Sequence, residues 1–259
     1  QGHALAESLP NINPEVFKQP NNTLGIMYLL AMKQYHLSMQ AHTIKRVGSY
    51  HSLDTAAPLP SATAIRQQVL KGHPLEGMPS AAQSILAQQI QRGQGPVTWK
   101  HFAPLLFYQL RNQTRADMDT WPESGEGLGD RLWLAARQTN HWEELLRMTK
   151  TRRFPLTRLQ RVATYILLGL NRDRLARINL ELAPPYLRVL ALNTGSCEAR
   201  RLLRESQLPV IYAARTAPST EPRLCECLQM DIRATDIYTL AWEKNSRSGL
   251  DYTHPVITC

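Results

Sequence analysis

From residue 80 onward the apolar residues recur at the spacing of a helix face, segment after segment. "SAAQSILAQQIQRG", "KHFAPLLFYQLRN", "LGDRLWLAARQ", "HWEELLRMTK", "LTRLQRVATYILLGL" and "CEARRLLRESQ" each carry an apolar stripe on an otherwise polar helix. "EPRLCECLQMDIRATDIYTLAW" reads as helical too. Against this series only "LPVIYAAR", a short apolar run after Pro209, reads convincingly as a strand. Residues 77–259 are therefore expected to form a mostly α-helical domain.

Residues 1–76 have a different character. "NNTLGIMYLLAMKQYHL" places Leu24, Met27, Tyr28, Ala31 and Met32 at the spacing of an amphipathic helix. The short "AHTIKRV" leans towards strand, and the proline-rich "DTAAPLP" links it to a capped helix, "LPSATAIRQQVLKG". There Ser61 caps, Ile65 and Val69 face a core, and Gly72 closes. Helix, strand and helix in succession read as the end of an α/β domain, with a boundary in the interval 73–80. A chain of 259 residues accommodates two moderate domains with real cores.

Composition narrows the partners. The 30 Lys and Arg against 21 Asp and Glu leave a net charge of +9, which favours a polyanion, either nucleic acid or a membrane surface. No apolar run approaches the ~18 residues needed to span a bilayer, so no membrane partner is expected. The start, "QGHALAESLPNINPEVF", lacks the layout of a signal peptide and has no Met, which reads as a truncated or processed chain. Of Cys197, Cys225, Cys227 and Cys259, the middle two lie two apart on a helix and point to different sides. That spacing suits neither a zinc knuckle nor a redox pair, so reduced thiols in a cytoplasmic protein and no metal site are expected.

The charge is concentrated. Between Arg147 and Arg177 lie nine basic residues and one acid, Asp173, a net of +8. A solvated helix usually interleaves its signs, and this window does not. "TRLQRVATYILL" directs Leu159, Val162, Ala163 and Ile166 to one face and sets Arg158, Arg161 and Tyr165 on its neighbour. Before it, "KTRRFP" gathers Lys150, Arg152, Arg153 and Phe154 in a turn stopped by Pro155. Cations flanked by rings suit RNA, where guanidinium groups hold phosphates and rings stack on unpaired bases. A basic surface with no partner is the plainer alternative.

A second set of donors surrounds the start of the capped helix. A helix amino terminus offers free N–H groups and the positive end of its dipole. Ser61 and Thr63 add hydroxyls and Arg66 a charge one turn on. Ordinary capping and surface exposure explain the same residues. Two upstream clusters favour a nucleotide: "QPNNTLG", with Asn21 and Asn22 beside a helix start, and "TIKRVGSYHSLD", with Lys45 and Arg46 at a strand end. In open α/β sheets ligands bind beyond the carboxyl ends of strands.

"PNNTLGIMYL", "IKRVGSYHSLD" and "SATAIRQQVLKG", in that order, resemble the tRNA(Met) cytidine acetate ligases of the HIGH-type nucleotidyltransferase superfamily. The likeness continues through "EGLGDRLWLAA", "TKTRRFPLTRLQRVATYILLGL", "PPYLRVLALN" and "DIRATDIYTLAW", across most of the chain. It implies a partial Rossmann-like domain followed by the helical one. The implied reaction uses ATP, with Mg²⁺ expected alongside, to activate acetate as acetyl-adenylate. The acetyl group then passes to the wobble cytidine of elongator tRNA(Met), giving N4-acetylcytidine. Matched by position, Asn21, Asn22 and Arg46 would contact the nucleotide, and Ser61, Thr63 and Arg66 its phosphates. Lys150, Arg152, Arg153, Arg158 and Arg161 would form the tRNA surface.

The departures carry expectations of their own. The H-x-G-H signature of the superfamily is absent from this chain, so the catalytic residues are not assigned, and the 259-residue polypeptide alone is expected to make no acetyl-adenylate. "YHSLD" stands where a tighter Tyr-His-Asp is expected, which leaves Asp54 outside the carry-over. Two other readings stay open. One is a helical RNA-binding module without catalysis. The other is a nucleotidyltransferase acting on a small metabolite, which leaves the basic window unexplained.

Overall fold

A computed structural model describes residues 20–45, 60–73, 76–179, 182–217 and 220–258. They belong to two units, residues 1–63 and 64–259, each described by itself.

In the first unit, α1 spans Pro20–Gln34. Proline suits a first helical position, where its missing N–H has no intrahelical acceptor to lose. Asn21 and Asn22 therefore lie inside the first turn. The expected stripe is only partly realised: Leu24, Met27 and Tyr28 are exposed, while Ala31 and Met32 are half-buried together with Gly25 and Ile26. The strand expected at 41–47 is not found in its described part. Residues 41–45 are irregular and Ile44 is 97% exposed. β-branched residues favour a strand only where a neighbouring strand receives their backbone groups, and the described residues of this unit include none.

Helix α2, Ala62–Leu70, forms where the sequence places it. Ser61 precedes it and is buried, as is Ala64, and Ile65 and Val69 are half-buried. Its end is a Schellman turn. Gly72 adopts φ +70°, its N–H reaches the Val69 carbonyl at 3.1 Å, and His73 N–H reaches Gln68 at 3.0 Å.

The second unit takes in most of α2 and continues with α3 (Ser80–Gln91) and α4 (Trp99–Arg111), followed by a 3₁₀ turn at 116–120. Then come α5 (Leu128–Gln138), α6 (Trp142–Thr149) and α7 (Leu156–Leu168). Helices α4 to α7 enclose the main core. Leu106, Phe107 and Leu110 meet Met118, Leu128, Leu132, Trp142, Leu145, Phe154, Leu159, Val162 and Ile166 there. Each such side chain contributes about 1.5–3 kcal/mol on burial. Trp99 stacks on Trp142 with ring centroids 4.5 Å apart. The α7 stripe expected from sequence is realised, with Leu159, Val162, Ala163 and Ile166 all buried.

The remainder is α8 (Arg172–Ile178), β1 (Leu187–Arg188), β2 (Ala191–Leu192), α9 (Cys197–Arg204) and β3 (Val210–Ile211). A 3₁₀ turn at 214–216, α10 (Pro222–Thr239), α11 (Leu250–Thr253) and β4 (Ile257–Thr258) complete it. The strand read at "LPVIYAAR" is β3, shortened to two residues and paired in parallel with β1; β2 pairs in parallel with β4. A smaller core gathers Ile211, Ala214, Leu224, Leu228 and Ile232 around the first of these pairs.

Several arginines close helix ends here. The Arg223 guanidinium donates to the carbonyls of Ile178 at 2.7 Å and Ala183 at 2.7 Å, after α8. Arg111 donates to Ala136 and Thr139 at the end of α5. A cation in these places satisfies carbonyls that the helix leaves unpaired. Cys197, Cys225 and Cys227 are free thiols, and burial pushes the Cys227 thiol up; Cys259 lies outside the described residues. Among the described residues no helix is long and apolar enough to cross a membrane.

Candidate functional site

The phosphate-side residues share one helix start. Ser61 stands immediately before α2, Thr63 in its first turn and Arg66 one turn later. A helical side chain leans towards the amino terminus, so Arg66 lies over the first turn of α2, at the positive end of its dipole. It is exposed, and among the described residues its guanidinium has no hydrogen-bond or ion-pair partner. Ser61 is 6% exposed and already has a partner. No acid occurs from Leu59 to Gly72. The set is made of donors around a positive dipole end, the chemistry that receives an anion.

Asn21 and Asn22 are exposed in the first turn of α1, and Asn22 is bonded. Arg46 and Asp54 lie outside the described residues. Among the described residues no three His, Cys, Asp or Glu side chains gather as a metal site would require.

The basic segment is built differently from its sequence. Acids from the loop before α5 meet the cationic face of α7. Arg158 Nη1 lies 2.9 Å from Glu126 Oε2, and its Nε donates to the Glu123 carbonyl at 3.0 Å. Arg161 clasps the Glu123 carboxylate, with Nε to Oε1 at 2.8 Å and Nη2 to Oε2 at 2.5 Å. Arg153 reaches Glu126 at 3.4 Å, and the Tyr165 hydroxyl lies 3.5 Å from Glu123. The Arg161 hydrogen bonds hold the Glu123 carboxyl below the usual glutamate value, and those of Arg158 and Arg153 do the same for Glu126.

That loop is folded tightly to present its carboxylates. Glu123, Glu126 and Gly127 have φ of 60°, 64° and 85°. Left-handed backbone is unfavourable for residues with a Cβ, and the ion pairs with α7 offset that cost.

The expectation of unscreened charge is thus corrected. Further along, Arg147 pairs with Glu144, while Arg174 and Arg177 share Glu226. Within the window Lys150, Arg152 and Arg172 keep exposed side chains without a carboxylate partner among the described residues, Arg172 donating instead to the Asp119 backbone carbonyl at 3.1 Å. The stacking role is corrected too. Phe154 is 5% exposed and belongs to the core, with Arg158 lying 5.3 Å from its ring centroid on the outer side. Tyr165 is half-buried, with its hydroxyl 3.5 Å from Glu123. Sequence reasoning missed Glu123 and Glu126, whose one signal was a Gly-rich acidic turn, "ESGEG", ahead of α5.

A model of the HIGH Nucleotidyl Transferase family matches residues 2–251 of this chain. The chain belongs to that family. It is 32% identical over 250 residues to the tRNA(Met) cytidine acetate ligase of Thermoanaerobacter sp. (strain X514), covering 94% of this chain and 60% of the relative. The ligase of Listeria monocytogenes serotype 4a (strain HCC23) is 30% identical over 248 residues, 93% of this chain and 59% of the relative. The chain therefore spans about 60% of the length of the curated relatives it matches. Among solved structures, Thermotoga maritima TmcAL in its apo form superposes with a TM-score of 0.87 at 24% identity, covering 99% of this chain and 66% of the other. The same protein bound with alpha-thio ATP gives 0.85 at 24% identity, covering 99% and 65%. These likenesses establish the nucleotidyltransferase fold expected as α/β joined to a helical domain.

Proposed function

We propose that this chain is the part of a cytoplasmic tRNA(Met) cytidine acetate ligase that holds the phosphate side of the nucleotide and the tRNA. The reaction served is ATP-dependent acetylation of the wobble cytidine of elongator tRNA(Met) to N4-acetylcytidine. The supporting observation is the 32% identity over 94% of the chain to a relative of that name. Residues 1–76 take the nucleotide side and residues 77–259 the tRNA side. Asn21, Asn22 and Arg46 belong to the nucleotide contacts.

In the first step an acetate oxygen attacks the α-phosphorus and pyrophosphate leaves. In the second the exocyclic amine of cytidine attacks the acetyl carbonyl and AMP leaves. The first step needs donors where phosphate charge accumulates, and the α2 start with Ser61, Thr63 and Arg66 supplies hydroxyls, the positive end of a helix dipole and an exposed cation. Mg²⁺ would accompany the nucleotide and supply charge neutralisation at its phosphates, since such an ion is held chiefly by substrate phosphates and few protein oxygens. The second step depends on holding two reactants together, which is the task of Lys150 and Arg152 on the tRNA, with Arg153, Arg158 and Arg161 beside them paired to Glu126 and Glu123.

Arg66→Ala tests the division of labour. Titration with ATP and with labelled elongator tRNA(Met) should show ATP binding reduced at least tenfold and tRNA binding unchanged. Equal loss of both, or no binding of either by the unaltered chain, would refute the reading.

A further inference from the structure

The carboxyl end of α3 meets the segment between α10 and α11 around a cavity of about 570 Å³, lined by none of the residues named above for nucleotide or tRNA. Arg92, Gln94, Trp242, Ser246, Arg247 and His254 are among its lining residues, and no acid is. Arg92 and Arg247 are exposed, and among the described residues neither guanidinium has an acceptor. His254 donates from Nδ1 to the Pro255 carbonyl at 2.8 Å, which orients its ring. The Trp242 indole N–H is buried with no hydrogen-bond partner. Indole can only donate, and a buried donor without an acceptor is a standing cost that an incoming oxygen would relieve.

The walls are held firmly. Glu243 N–H donates to the Gly93 carbonyl at 2.8 Å. Gly93 adopts φ +70°, and a Cβ there would lie 3.1 Å from Lys244 Cβ, so the two segments close on each other through a glycine.

We propose that this cavity binds a nucleotide unit of RNA, with Arg92 and Arg247 on its phosphodiester and Trp242 donating to it. The volume admits a phosphate with its ribose rather than a lone ion. Two unpaired arginines, a donor-only indole and the absence of any lining acid select an anion, and a protein that already handles RNA supplies that anion as backbone phosphate. The assignment rests on the tRNA reading above and adds a second, separate contact.

The test is titration of fluorescent elongator tRNA(Met) over a range of KCl with the 259-residue chain. It compares wild type, Arg92→Ala/Arg247→Ala, Trp242→Phe and Lys150→Ala/Arg152→Ala, each checked by thermal melting. The arginine pair variant should melt as wild type, lose about tenfold or more in affinity, and show a salt slope smaller by about 2. Trp242→Phe should lose affinity with its slope unchanged, because it removes a neutral donor. Unaltered tRNA binding by the arginine variant, with the Lys150 variant impaired, overturns this site and leaves the tRNA reading standing. Failure of wild type to bind tRNA overturns both. Pyrophosphate binding that needs Arg92 and Arg247, while tRNA binding does not, would assign the cavity to a free phosphate and overturn the RNA assignment.

Discussion

Glu123→Gln removes one charge from the loop before α5 while keeping the side chain's shape. Glu123 receives three bonds from the Arg161 guanidinium, two of them from Nε, and one from the Tyr165 hydroxyl. Its side chain is 32% exposed and that of Arg161 is 52% exposed, so solvent screens the pair. Such a bidentate surface pair stands near the top of its range, about 1 kcal/mol. In a unit of this size that loss lowers Tm by about 2–4 °C. Binding should change in the opposite direction. Arg161, released from its carboxylate, becomes free for a phosphate. One more neutralised phosphate steepens the salt slope by about 0.9 and tightens tRNA binding several-fold at low salt. The stability difference also has a pH signature. The Arg161 hydrogen bond lowers the Glu123 pKa on folding, so the contribution is complete above the unfolded glutamate value of about 4.3. It disappears as pH falls through the lower folded value, where the two proteins should melt together. Scanning fluorimetry and tRNA titration read the two effects. A variant that loses stability but keeps wild-type affinity and slope would show that Arg161 is scaffold and that no phosphate replaces Glu123.

Two further substitutions test the packing around that face. Phe154→Ala opens the core beneath Arg158 and should cost about 3–5 kcal/mol, seen in denaturant unfolding; a stable Phe154→Ala protein with impaired tRNA binding would restore the stacking role. Glu226→Gln leaves Arg174, 12% exposed, beside Arg177 with no carboxylate between them. The expected loss is about 2 kcal/mol, below the 3–5 of a fully buried pair because both partners keep some water, and an unchanged melting curve would contradict it.

Helices were legible wherever one face is apolar. Leu159, Val162, Ala163 and Ile166 announce α7, and Ser61 and Gly72 bracket α2, because period and caps are local properties of the chain. The two-residue strands β1, β2 and β4 are too short to show any period, and α8, "RDRLARI", is too polar to show a stripe. What a window of sequence cannot show is countercharge from elsewhere. Arg158 and Arg161 look unpaired because Glu126 and Glu123 lie 32 and 38 residues away. The same holds for the partners of Arg111 and Arg223, which are helix-end carbonyls distant in sequence. Of the candidate site, the donors on α2 could be read from one short stretch. The division of the basic run into paired Arg153, Arg158 and Arg161 and unpaired Lys150 and Arg152 needed the fold.

The most direct measurement is the salt dependence of elongator tRNA(Met) binding by wild type and by Lys150→Ala/Arg152→Ala. Both side chains are exposed and lack acid partners among the described residues, so the variant should keep its stability. It should bind at least tenfold more weakly, with a slope of log K against log[KCl] smaller by about 2. An identical slope and affinity in the two proteins would contradict the assignment of this face to tRNA.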